Sequence, residues 1–236
     1  MKDFDILDEF SNEELDVLVK LMLDKGNATE LLTLDENYKL YNPDHKRYVD
    51  KIKEELSLFA GNSVINMFRG NGVPYREMLL DVCEKTKTPF NKKASLERIE
   101  NALLEKVLED AWEKLSDEEK EKLFKDTPMG NIGGVGASVL IGAFRAGGFA
   151  SYQLTLLIVN TIAKAILGHG LPLLVNAALA RALGILTGPI GIALTALWTI
   201  HDIAGPAYRV TIPATIYIAA LRRVHQSEQY KDFAFM

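Results

Sequence analysis

Apolar side chains recur every three or four positions along the first half of the chain, which is the spacing of amphipathic helices. Residues 11–25 begin with Ser11 and Glu14 in the arrangement of a capping box, in which each side chain accepts from the other residue's backbone amide. Further amphipathic helices are predicted over four segments: 44–61, 75–86, 95–115 and 116–126. Because no part of residues 1–130 alternates with a period of two, this region is predicted to be all-α.

The second half loses nearly all of its charge. Residues 137–221 contain five charged side chains: Arg145, Lys164, Arg181, Asp202 and Arg209. The helix-breaking Gly and Pro residues of "GHGLP", "TGP" and "GP" divide the segment into apolar helices predicted over 146–167, 171–186, 189–204 and 207–224. Helices that are apolar on nearly every side must be buried in protein or lipid. The fold class is therefore predicted as all-α, an acidic amphipathic helical region followed by a glycine-rich hydrophobic helical bundle or hairpin.

A glycine-rich segment separates the halves. Gly130, Gly133, Gly134 and Gly136 form a candidate hinge; the sequence lacks the Lys-Ser/Thr pair that would make it a phosphate-binding loop. The predicted division has five parts: a short acidic helical segment at 1–40, an amphipathic helical region at 41–129, the hinge at 130–136, a hydrophobic helical region at 137–226 and a polar tail at 227–236.

The charge is distributed unequally. Residues 1–130 carry 20 Lys and Arg against 29 Asp and Glu, a net charge of −9, whereas residues 131–236 carry 7 against 3, a net charge of +4. A first half this acidic argues against a nucleic-acid partner, because phosphate binding needs a basic surface. The single cysteine, Cys83, and an acidic amino terminus without a signal-peptide pattern indicate a cytoplasmic protein.

The hydrophobic half admits two uses. A membrane span needs roughly 20 apolar residues, yet 189–204 has only sixteen and polar side chains dilute 146–163. One interpretation is a protein that binds membrane lipid, peripherally at the inner face of the membrane or by insertion. The other is a permanently soluble module that binds an apolar protein partner or forms a homo-oligomer.

The residues that carry chemistry form no known catalytic or metal-binding pattern. The four histidines lack the spacing of a zinc site, and no serine or cysteine lies in a nucleophile motif, so we expect neither an enzyme nor a cofactor or metal. One cluster stands out: His201, Asp202, Tyr208 and Arg209 flank a Gly-Pro corner between two apolar helices. They form a candidate buried polar latch, either an Asp202–Arg209 ion pair that locks the corner or a group that changes charge with pH.

Three stretches carry a family resemblance: "GNSVINMFRGNGVPYREMLLDVCEK", "RAGGFASYQLTLLIVN" and "RALGILTGPIGIALTALWTIHDIAGPAYRVTIPA". They resemble the bacterial YaaW family over most of the chain. The helices around 43–125 are more distantly similar to the ubiquinol-cytochrome c chaperone family, whose members assist the assembly of a membrane respiratory complex. The resemblance implies a non-enzymatic, chaperone-like or assembly protein. If the protein binds membrane lipid, the alternative to such an assembly factor is an insertable, pore-forming-like protein. Neither family supplies a catalytic motif.

Overall fold

The computed structural model of the protein describes residues 2–25, 30–60, 72–125, 136–171, 177–199 and 208–234. All regular secondary structure in these ranges is helical, which confirms the all-α class. The α-helices are α1 (Asn12–Lys25), α2 (Glu30–Leu34), α3 (Glu36–Tyr41), α4 (Val49–Ala60), α5 (Tyr75–Lys85), α6 (Leu96–Glu113), α7 (Asp117–Lys125), α8 (Ala137–Ala146), α9 (Gly148–Leu167), α10 (Ala177–Thr199) and α11 (Tyr208–Ala234). Two 3-10 helices are Lys2–Asp8 and His45–Tyr48.

The chain forms two compact units. The first comprises Met1–Ile99 with Leu197–Ile218, and the second comprises Glu100–Ala196 with Ala219–Met236. Of the candidate hinge, Gly136 is described and precedes α8, whereas 130–135 lie outside the described residues. The predicted five-part division and the hinge therefore stay predictions.

The first unit begins with the predicted capping box. The Ser11 amide donates to Glu14 Oε2 at 2.8 Å, and the Glu14 amide donates to Ser11 Oγ at 3.2 Å, so two amides at the start of α1 are satisfied. The Tyr217 hydroxyl of α11 donates to the Glu14 carbonyl at 3.1 Å. Cys83 of α5 is buried. Other fully buried side chains of this unit are Phe4, Leu15, Leu18, Ile52, Leu79 and Val210.

In the second unit, α8 and α9 meet at two glycines with positive φ. Gly147 has a φ of 76° and Gly148 a φ of 66°, a region that glycine enters without steric cost. The Ser151 hydroxyl closes the junction by donating to the Phe144 carbonyl at 2.7 Å. The helix predicted over 146–167 is confirmed as α9, whereas the sequence pattern did not predict the separate helix α8.

The predicted break at 187–189 is wrong. Helix α10 continues from Ala177 to Thr199 with Pro189 inside it. A proline ring crowds the Cβ of the preceding residue, and Gly188 has no Cβ, which lowers the cost of keeping the helix intact. Helix α11 likewise contains Pro213 and continues past the predicted end at 224 to Ala234.

Several hydroxyl groups of the apolar helices bond to the backbone of their own helix. Each donates to the carbonyl four residues earlier, at 2.6 to 2.8 Å: Thr155, Thr161, Thr195, Thr215 and Ser227. Such back-bonding satisfies a hydroxyl without a partner from another element. These five hydroxyl groups are therefore satisfied within their own helices.

Candidate functional site

The predicted latch is described only in part. His201 and Asp202 lie outside the described residues, so the Asp202–Arg209 ion pair stays a prediction. The Tyr208 hydroxyl, at the start of α11, donates to Asp81 Oδ2 of α5 at 2.7 Å. Lys85 Nζ lies 5.2 Å from the centroid of the Tyr208 ring, close enough for a cation–π contact. Burial, followed by this hydrogen bond to Asp81, raises the pKa of Tyr208.

A polar network missed by the sequence analysis lies in the first unit. His45 Nε2 is 3.2 Å from Asp16 Oδ1 of α1, and His45 Nδ1 is 2.5 Å from the Tyr48 hydroxyl. That hydroxyl lies 3.3 Å from Asn42 Oδ1. Since 29 residues separate His45 from Asp16, no local spacing could have indicated the pair.

The protonation of His45 fixes the direction of these hydrogen bonds. Because the Asp16 carboxylate can only accept, a neutral imidazole that bonds to it donates from Nε2 and accepts at Nδ1 from the Tyr48 hydroxyl. Burial lowers the pKa of His45 below its ordinary value of 6.5, although the Asp16 carboxylate opposes the shift. The neutral form is therefore the one held in the folded unit at pH 7.

The Asp16–His45–Tyr48 arrangement resembles a catalytic triad in its connectivity only. His45 is 1% exposed and Tyr48 is 3% exposed, so a substrate cannot reach the imidazole or the hydroxyl. A candidate nucleophile must also be activated, and burial raises the pKa of Tyr48 instead. The network is a packing element that joins α1 to the 3-10 helix His45–Tyr48. Within the described ranges, no group of three or more His, Cys, Asp or Glu side chains could hold a metal ion.

Two arginines anchor the middle of α11 in the second unit. Arg222 Nε lies 3.0 Å from Glu100 Oε1 in an ion pair whose carboxylate side chain is 3% exposed. Arg223 donates to Asn101 Oδ1, to the Phe144 carbonyl and to Ser151 Oγ, each at 2.7 Å. Its guanidinium carbon lies 4.2 Å from the Phe144 ring centroid. Arg223 therefore ties α11 to both α6 and the α8–α9 junction.

The second unit also has a surface without charge on α10, which we call the α10 face. It consists of four exposed or part-exposed positions that follow one another at helical spacing: Gly188, Ile192, Thr195 and Ala196. Ile192 is 54% exposed, and no charged residue occurs from 186 to 197. Phe149, at the start of α9, is 51% exposed. Single exposed apolar residues are ordinary, so the distinguishing feature of this face is its lack of charge over four exposed positions.

Helix α9 is the helix, among those described, that is long and apolar enough to cross a membrane. However, 67% of its most apolar eighteen residues are buried inside the protein. Mostly buried helices of this composition also form the cores of soluble proteins.

These features define an all-helical protein, within the described ranges, that has an exposed helix face without charge on α10. Comparisons with known proteins identify its family. The family described as "Ubiquinol-cytochrome C chaperone" matches residues 44–216. A "UPF0174 protein" of Helicobacter pylori strain J99 is 41% identical over 94% of this chain and 90% of its own length. The "UPF0174 protein YaaW" of Escherichia coli strain K12 is 33% identical over 96% of each chain. No solved structure matches the chain.

The chain therefore belongs to the UPF0174 family, which includes YaaW, and to the ubiquinol-cytochrome c chaperone family. This confirms both resemblances expected from the sequence, and it indicates a chaperone-like helical protein.

Proposed function

We propose that this protein is a non-enzymatic assembly factor that associates peripherally with a membrane and supports a membrane-embedded client protein. The chaperone part of the proposal rests on the family that covers residues 44–216. The membrane part is carried by one observation, the exposed α10 face that contains no charge.

The chemistry of the α10 face suits an apolar environment. Ile192 is the large side chain on this face, and its neighbours are small or carry a hydroxyl that already donates within the helix, as Thr195 does to the Gly191 carbonyl at 2.7 Å. Placing such a face against lipid or an apolar helix leaves few polar groups without a partner. Small side chains also allow another helix to approach closely.

Peripheral contact fits the structure better than insertion of α9. Insertion would expose buried side chains of α9, including Gln153 and Tyr152, which are 3% and 4% exposed. It would also break the contacts of Arg223 with Phe144 and Ser151 at the α8–α9 junction. An exposed face needs no such rearrangement.

Vesicle flotation of the full chain tests the proposal. We expect the protein to rise with vesicles, and we expect Phe149→Glu with Ile192→Glu to reduce the bound fraction, because a charge on an apolar contact must be desolvated. The matched control places the same charges on the first unit, as Leu34→Glu with Leu40→Glu, where the two leucines are 60% and 70% exposed.

The outcomes separate the two functional classes. A parent protein that stays at the bottom of the gradient with every vesicle would refute membrane association and favour the soluble module that binds an apolar protein partner or itself. Equal losses in the Phe149/Ile192 variant and in the control would show that added negative charge, rather than the α10 face, determines binding.

A further inference from the structure

Basic side chains are concentrated at one turn of the first unit, between α5 and α6. Residues 85–98, which we call the basic turn, contain five basic residues and one acidic residue, Glu97. The rest of residues 1–130 contains 15 basic and 28 acidic residues. All five basic side chains of the turn are exposed: Lys85, Lys87, Lys92, Lys93 and Arg98.

Hydrogen bonds from side chains of the same unit hold the backbone of the basic turn in place. The hydroxyls of Thr86 and Thr88, both buried, lie 2.8 Å apart and bond to each other. The Arg76 guanidinium donates to the Lys92 carbonyl at 2.9 Å and to the Ala94 carbonyl at 2.7 Å. A turn held in this way loses little backbone entropy when its side chains bind a partner.

Two of the five cations are already engaged within the unit. Lys92 forms an ion pair with Glu84, and Lys85 packs over the Tyr208 ring. The other three form no ion pair within the part of the chain that the structure describes: Lys87, Lys93 and Arg98. The net positive charge of the turn is therefore carried mainly by three outward cations.

The composition of the turn distinguishes among anionic partners. Nucleic acid is held by neutralising several phosphates, for example about 6–10, and three cations surrounded by an acidic region fall short of that. A lipid headgroup layer needs fewer charges when a second, apolar contribution is present. Within the turn, Pro89 is exposed and Phe90 is half-buried, which places apolar surface among the lysines.

We propose that the basic turn, residues 85–98, docks on the phosphate groups of an anionic lipid surface, with Lys87, Lys93 and Arg98 supplying the attraction. The proposal rests on the proposed membrane function and names the lipid class that it requires. Stable attachment to a membrane generally takes two signals. The cations of the basic turn are the electrostatic signal, and Pro89 with Phe90 provides the apolar one within the same turn.

The test compares flotation of the full chain with vesicles of pure phosphatidylcholine and with vesicles of about one part phosphatidylglycerol to three parts phosphatidylcholine. The variant Lys87→Asn/Lys93→Gln/Arg98→Gln removes the three outward cations; asparagine is chosen because residue 87 has a φ of 54°. We expect its partition onto the anionic vesicles at low salt to fall on the order of 100-fold. The single variant Lys93→Gln should bind about fivefold more weakly and serves if the triple variant fails to fold.

The control variant is Lys39→Gln/Lys46→Gln/Lys114→Gln, which has the same net charge and alters three other exposed lysines. It should bind anionic vesicles within about twofold of the parent. Two results would overturn the role of the basic turn and leave the proposed function standing. The first is a parent protein that floats equally well with both vesicle types. The second is a triple variant of the turn that binds as strongly as the parent or as the control variant. Failure of the parent to float with any vesicle would instead refute the proposed function.

Discussion

Adding a methyl group to Gly147 and to Gly142 is expected to change stability in opposite directions. Gly147 lies between α8 and α9 with a φ of 76° and a ψ of −156°, a conformation essentially restricted to glycine. Gly142 lies within α8, and a Cβ at either position would meet no atom within 4 Å. Since neither methyl group clashes, the two substitutions differ in the backbone conformation alone.

The sizes of the two effects follow from the backbone. A side chain held in the conformation of Gly147 costs about 1–3 kcal/mol, so Gly147→Ala should lower the free energy of unfolding by that amount. Replacing glycine by alanine within a helix gains about 0.5–1 kcal/mol, so Gly142→Ala should raise it. Gly168 follows α9 with a φ of 83° and a ψ of −9°. The effect of Gly168→Ala on the free energy of unfolding should lie between those of the other two variants, with a loss of about 1–2 kcal/mol.

Urea unfolding followed by circular dichroism measures all three variants against the parent, with the slope of the transition checked because the chain has two units. Gly168→Asn should be less destabilising than Gly168→Ala, since asparagine enters the left-handed region more readily. The reasoning would be refuted if Gly147→Ala were as stable as the parent or if Gly142→Ala lost as much stability as Gly147→Ala.

Three further predictions concern buried polar groups. Arg223→Met should lower the free energy of unfolding by about 2–4 kcal/mol, because three hydrogen bonds to a charged donor are lost. In urea unfolding, its effect should be non-additive with that of Ser151→Ala, because the two side chains share a hydrogen bond. Additive losses of stability would contradict the shared network. For His45, burial lowers the folded-state pKa, so stability should be present above the ordinary pKa of 6.5 and lost as the pH falls from there through the folded-state pKa. The free energy of unfolding of His45→Gln, followed from about pH 8 to 5, should lack that loss. A pH profile of the variant parallel to that of the parent would contradict the assignment. For Glu55, 3% exposed, Oε1 lacks a hydrogen bond and lies 3.8 Å from Lys51 Nζ. Burial raises the pKa of Glu55 although Lys51 opposes the shift, so stability is lost as the pH rises above 4.5. Glu55→Gln should therefore gain about 1 kcal/mol at pH 7 by thermal or urea unfolding, and a loss would show that the carboxylate is compensated.

Features that depend on neighbouring residues could be predicted from the sequence. The predicted capping box at Ser11 forms, and Ser116 forms the same arrangement with its amide 2.8 Å from Glu119 Oε2, because in each case the partner lies three positions away. The helical periodicity of α4 to α6 was equally local. By contrast, Pro189 suggested a helix end, and the prediction failed because a single proline next to Gly188 does not outweigh the packing of a long apolar helix.

The functional surfaces could be predicted only in part. The apolar character of the second half was visible in its composition, but the exposure of Ile192 depends on tertiary packing. The contact between Tyr208 and Asp81 joins residues 127 positions apart, and the sequence pattern gives no sign of it. The basic turn was not predicted for a different reason. The net charge summed over the whole first half is negative, and this sum does not show a short segment whose own net charge is positive.

The back-bonded hydroxyls of the apolar helices make these helices tolerant of a change of solvent. A threonine such as Thr155 or Thr195 keeps its hydrogen bond whether its surroundings are water, protein or hydrocarbon, because the acceptor belongs to the same helix. Asn160 differs, since its Oδ1 accepts from the Leu171 amide at 2.9 Å, outside α9. Transfer of these helices between environments would therefore be opposed by a few amides and cations rather than by the numerous hydroxyls.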